Sequence, residues 1–103
     1  GGAMDQVQAN LLRDQFGKMK QEYQGIAQKM AELDVDKREH LLVVSTLEKL
    51  PAERRAYRMV GGVLVERTVA EVLPAVNANL EGIKQVMSNL EQGMRKKQQE
   101  MQE

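Results

Sequence analysis

Ala9, Leu12, Phe16, Met19, Tyr23, Ile26, Met30, Leu33, Lys37, His40, Val44 and Leu47 follow one another at alternating spacings of three and four residues. On an α-helix that spacing draws one narrow stripe. Kept up for about six heptads, it is the seam of a coiled coil rather than the broad face of a globular helix. Only Lys37 and His40 break it. Pro51 cannot continue a helix and turns the residue before it away from helical geometry, so the first helix is predicted over 5–50. A second seam, Val69, Leu73, Val76, Leu80, Ile83, Met87, Leu90, Met94, Lys97 and Met101, predicts a helix over 69–103. Thr68 and Glu71 stand at capping-box spacing at its start. Pro74 lies past the first turn, where it removes a helical hydrogen bond and clashes with a carbonyl, so a short turn, a kink and then the main helix are expected.

Two such helices, about 65 and 50 Å long at 1.5 Å per residue, can share a seam only if the chain reverses between them. Position 47 then lies near 73, 40 near 80, 33 near 87, 26 near 94 and 19 near 101. That register sets His40 against Leu80, Lys37 beside Ile83 and Lys97 beside Tyr23. The second arm is still patterned at Met101, with no glycine cap or proline after it, so a continuation past Glu103 is expected. Gly1, Gly2 and Ala3 before Met4 read as a cleavage remnant, and the chain is expected to form a single domain over 1–103 in which residues 1–4 are a tag remnant or disordered.

Between the arms, Ala56–Val60 and Val63–Thr68 are rich in strand formers, and Gly61-Gly62 can supply the positive φ angles of a two-residue hairpin turn. The hairpin is expected over 56–68, with Val60 opposite Val63, Met59 opposite Leu64, Arg58 opposite Val65 and Tyr57 opposite Glu66. Opposed pairs alternate sides. Val60, Val63 and Val65 therefore share one face, and Tyr57, Met59 and Leu64 the other. A lone hairpin is marginal in water, and here neither face can be left wet without exposing large side chains. The expected cover is the hairpins of other chains, which makes Tyr57, Met59, Val60, Gly61, Gly62, Val63, Leu64 and Val65 an assembly site. The alternative is that the hairpin folds back and merely caps the coiled coil.

Composition limits the functions open to such a chain. In 103 residues aromatics are 3%, with no Trp, so a compact aromatic-centred core is not expected. Lys plus Arg and Asp plus Glu are 15 each, which removes the general attraction to nucleic acid or an anionic membrane. Arg54, Arg55 and Arg58 near the hairpin and Arg95, Lys96 and Lys97 on the second arm are basic clusters. A DNA-binding ribbon, however, needs basic flanks along its length, whereas this one has an apolar tip balanced by Glu53 and Glu66. There is no Cys, which suits a reducing compartment, and no apolar run approaches a membrane span. His40 is the one histidine, and at a seam position it reads as a packing residue rather than a base or ligand. The glycine pair lacks the phosphate-loop pattern and is followed by a strand, so no ATP site, metal or other cofactor is expected.

The order helix, YRMVGGVLVERTVAEVLPAV, helix resembles the β class of the prefoldin family, with the specificity in residues 57 to 76. That resemblance implies a mainly α fold: a long antiparallel two-helix coiled coil with one β-hairpin, which joins an intersubunit β-barrel in a hexamer of α- and β-type subunits. It also implies an ATP-independent cytoplasmic co-chaperone that captures unfolded proteins such as actin and tubulin and delivers them to the group II cytosolic chaperonin. Six of the seven Met residues lie on the arms, and methionine adapts to varied apolar partners, although Met at seam positions is also ordinary packing. Met4, Val7, Leu11, Met94 and Met101 are the candidate client contacts. The rival reading is a coiled-coil scaffold or adaptor subunit whose arms bind folded partners.

Overall fold

The structure, a computed structural model, describes residues 1–102. Its elements in chain order are α1 (Gly2–Glu48), β1 (Arg55–Val60), β2 (Val63–Thr68) and α2 (Val69–Gln102). Contacts group them into two units: a hairpin unit, Leu33–Met87, and a terminal unit, Gly1–Glu32 with Ser88–Glu103.

In the hairpin unit, Val44, Val69, Val72 and Leu80 are buried, at 8, 3, 6 and 4% exposure. Leu33, Lys37, His40, Leu47, Leu73, Val76, Ile83 and Met87 are half-buried. Every seam position of this unit is therefore at least partly covered, the two polar ones included. Val72, beside the strict seam, is buried with it. His40 Nδ1 lies 2.8 Å from the carbonyl oxygen of Asp36 and 3.3 Å from its carboxylate. A carbonyl only accepts, so that ring nitrogen carries the proton, and His40 is satisfied within its own helix.

α1 ends at Glu48, before the expected Leu50, because Lys49 and Leu50 bond three residues back to Thr46 and Leu47 and tighten the last turn ahead of Pro51. The loop that follows supplies α2 with its start. Val69 N–H donates to Arg54 O at 2.9 Å, Ala70 N–H to Ala52 O at 3.0 Å, and Glu71 N–H to Thr68 Oγ1 at 3.3 Å. Three of the four N–H groups that a helix start leaves orphaned are thus met. The Glu71 carboxylate accepts from the Thr68 hydroxyl at 3.1 Å, closing the Thr68–Glu71 pair. α2 then runs unbroken through Pro74, so the expected separate turn is not formed. Proline removes one bond, but the loop bonds, the cap and the burial of Val69 and Val72 hold the turn that precedes it.

Thr68→Ala is expected to lower stability by about 1 kcal/mol. Thr46→Ala, which removes only a hydroxyl bonded back to Leu42 O at 2.8 Å, should change it by less than about 0.5 kcal/mol. Thermal melts of the two variants check this, and equal losses would mean that Thr68 does not cap.

In the terminal unit, Met19, Tyr23, Ile26 and Met30 on α1 and Leu90, Met94, Lys97 and Met101 on α2 are half-buried. A Cβ placed on Gly93 would stand 3.8 Å from Ile26 Cδ1, and Lys97 Nζ meets Glu22 Oε2 at 2.5 Å. Both contacts agree with the register that sets 26 near 94 and 19 near 101. Lys97 takes Glu22 as its partner, one residue from the expected Tyr23. Leu12 and Phe16 follow the same heptad pattern yet are 66 and 49% exposed. Residues 2–4, expected as a tag remnant or disordered, continue α1 to Gly2, and the Gly1 amine meets Asp5 at 3.0 Å.

Candidate functional site

β1 and β2 pair antiparallel with Arg55 opposite Thr68, Ala56 opposite Arg67, Tyr57 opposite Glu66, Arg58 opposite Val65, Met59 opposite Leu64 and Val60 opposite Val63. The turn needs both central residues at positive φ, and Gly61 and Gly62 stand at 56° and 80°. A β-carbon at either would be strained by its backbone alone, although open space surrounds both.

The pleat divides the side chains as the alternation demands. Ala56, Arg58, Val60, Val63, Val65 and Arg67 share one face, of which only Ala56 and Val65 are half-buried. The other carries Arg55, Tyr57, Met59, Leu64, Glu66 and Thr68. Tyr57, Met59, Val60, Val63 and Leu64 are 52 to 63% exposed. The two faces differ in charge. Arg55 Nε meets Glu66 Oε1 at 3.0 Å on the second face, whereas Arg58 on the first has no ion-pair partner among the described residues. Five large apolar side chains thus stand in water on a two-stranded sheet. Burying each would contribute about 1.5 to 3 kcal/mol.

The candidate client contacts divide into two groups. Met4, Val7 and Leu11 are exposed on α1, at 68, 49 and 57%. Met94 and Met101 are half-buried along the seam of the terminal unit. Met19 and Met101 line one open cleft together with Leu12, Phe16 and Glu100. Leu12 and Phe16 had been assigned to the seam by their spacing.

Glu22 and Lys97 form the other feature that spacing alone did not bring together. The direct hydrogen bond from Lys97 holds the Glu22 carboxyl below its ordinary value of 4.5, aided by the charges of Lys97 and Lys18 against partial desolvation. The same bond raises Lys97 above its ordinary 10.5, with Glu100 adding to it. A lowered carboxyl contributes stability that is present above 4.5 and lost as pH falls through the lowered value. A raised lysine contributes stability that is present below 10.5 and lost as pH rises through the raised one. The pair is therefore charged throughout the neutral range.

Among the described residues no group of three His, Asp or Glu is placed to hold a metal, and no helix is long and apolar enough to cross a membrane.

A family model described as "Prefoldin subunit" matches residues 11–103. The chain is 44% identical over 103 residues to prefoldin subunit 2 of Mus musculus, covering all of this chain and 67% of that protein. It is 48% identical over 88 residues to prefoldin subunit 2 of Rattus norvegicus, covering 85% of this chain and 57% of that one. Its fold is similar to the crystal structure of the prefoldin beta subunit from Thermococcus strain KS-1. That likeness has a TM-score of 0.82 at 23% identity and covers 94% of this chain and 83% of the other.

Proposed function

The chain belongs to the prefoldin family, and from that premise we propose that it is one subunit of an ATP-independent holding chaperone, assembled through its hairpin. In this reading the hairpins of α- and β-type subunits complete an intersubunit β-barrel in a heterohexamer. The helix termini hold unfolded proteins, actin and tubulin among them, for delivery to the cytosolic group II chaperonin. The protein works in the cytoplasm without nucleotide, metal, nucleic acid or membrane, and no catalytic role is proposed for it. The observation that carries the reading is the hairpin with both faces apolar and exposed, because such a sheet is stable only under another chain. Of the candidate client contacts, Met4, Val7 and Leu11 support it through exposure and Met101 through a seat beside an open cleft, while Met94 is half-buried along the seam.

The test is aggregation of denatured actin in the presence of the complex formed with α-type subunits. Suppression is expected near equimolar complex, with no binding to a folded control protein. A complex that forms but leaves aggregation unchanged while binding folded proteins would make this a scaffold subunit instead.

A further inference from the structure

The three arginines of the hairpin stand in different circumstances. Arg55 Nε meets Glu66 Oε1 at 3.0 Å on the second face. Arg67 stands at the base, with its Nη1 donating to Glu66 O at 3.0 Å and its Nε 3.8 Å from Glu71 Oε2. Arg58 is exposed and has neither a hydrogen bond nor an ion pair among the described residues.

The neighbours of Arg58 on the first face are Ala56 and Val60 along β1 and Val65 directly opposite on β2, with Val63 and Arg67 on the diagonals. Arg58 thus rises from the middle of that face rather than from its rim. A cover that takes Val60 and Val63 out of water passes over Arg58 as well. A guanidinium is always charged, and enclosed without an anion it costs more than the valines beside it gain. Its planar fork of donors is best matched by a carboxylate, which can accept two bonds at once.

A second copy of the hairpin does not supply that carboxylate. Arg55–Thr68 holds three arginines and one acid, Glu66, which lies on the second face and is already held by Arg55. Two copies laid together through their first faces would set Arg58 and Arg67 against Arg58 and Arg67, a like-charge contact that suppresses self-pairing. The second face is different. With Arg55 and Glu66 neutralising each other, it asks only for an apolar cover.

We propose that the first face takes the hairpin of a different subunit, one with a carboxylate seated against Arg58, and that this charge pair selects that neighbour over a second copy of the chain. The proposal rests on the reading that the chain assembles through its hairpin, and adds which face carries the choice of partner. The long stem of an arginine can also carry its head round a cover into water. The two arrangements differ in what Arg58→Met does.

Titration of the fluorescently labelled chain with the other prefoldin subunits, singly and then together, reads the affinity by anisotropy. Arg58→Met keeps the length and apolar body of the side chain but strands the partner's carboxylate, and is expected to weaken association roughly thirtyfold. Arg58→Lys should lose less, because it keeps the charge but not the fork, and Arg58→Glu should lose more. Arg54→Met, which removes an equal charge from the loop just before β1, should change affinity by less than about threefold. If Arg58→Met associates as tightly as the wild type, Arg58 stays in water. If Arg54→Met loses as much as Arg58→Met, net charge alone acts. Either result overturns the proposal, as would self-association of the chain that Arg58→Met weakens, which would make the occupant a second copy. Val63→Asp separates this from the assembly reading. If Val63→Asp binds every subunit as tightly as the wild type, the hairpin is not the interface and both fall. If Val63→Asp loses binding while Arg58→Met keeps it, assembly through the hairpin stands and only the charge selection falls.

Discussion

Leu64→Asp is expected to abolish co-assembly with α-type subunits while leaving both helices formed. In the single chain Leu64 is 61% exposed, so a carboxylate there stays in water and desolvates nothing. Once a neighbouring chain covers that face, the same carboxylate is buried without a partner. The cost is several kcal/mol, which weakens association by roughly a thousandfold at 1.4 kcal/mol per factor of ten. Val63→Asp makes the matching change on the opposite face, where Val63 is 62% exposed. Together the two variants report which faces are covered: a large loss in both means a hairpin enclosed on both sides, and a loss in one means a sheet with one wet face. Light scattering of the mixed subunits reads assembly and circular dichroism reads helicity. Loss of all helicity would mean that the helices need the hairpin to fold. Unchanged assembly in both variants would remove the hairpin from the interface.

The largest effect on the fold of the chain itself is expected from Leu80→Ala. Leu80 is 4% exposed and one of four buried apolar residues in the hairpin unit, so truncating it removes apolar contact and leaves a cavity, at about 2 to 4 kcal/mol. For a domain of this size that lowers the midpoint of thermal unfolding by about 10 °C or more. Leu12→Ala is the control. Leu12 has the same seam spacing but is 66% exposed, and its loss should cost less than about 0.5 kcal/mol. Equal shifts in the two melts would mean that seam burial does not carry the stability.

The reading of α1 from its heptads succeeded because each step of three or four residues is a local statement about one helix. It holds at Leu33 and Leu47, and equally at Leu12, whether or not anything lies opposite. Burial is not local. Leu12 and Phe16 share the pattern of Met19 and Ile26 but not their cover, because cover depends on what lies opposite in space. Pro74 shows the same limit. Its missing N–H predicts a break, yet the loop carbonyls of Ala52 and Arg54, the Thr68 hydroxyl and the buried Val69 and Val72 keep the helix whole. None of those partners is visible from the proline's own neighbours. In the hairpin nearly everything was legible: a glycine pair between two short β-rich runs dictates turn, register and facing together, since side chains alternate strictly along a strand.

For this protein the sequence by itself determined two heptad helices, the Thr68 cap, the Gly61-Gly62 turn and a hairpin with two apolar faces, because each follows from backbone geometry over a few bonded residues. Only the tertiary structure decided which seam residues are covered, that Glu22 takes Lys97 as its partner, that Pro74 sits in an unbroken helix and that Leu12 and Phe16 face open water. Those outcomes depend on what the returning chain places alongside, and distance through space is not written in distance along the chain.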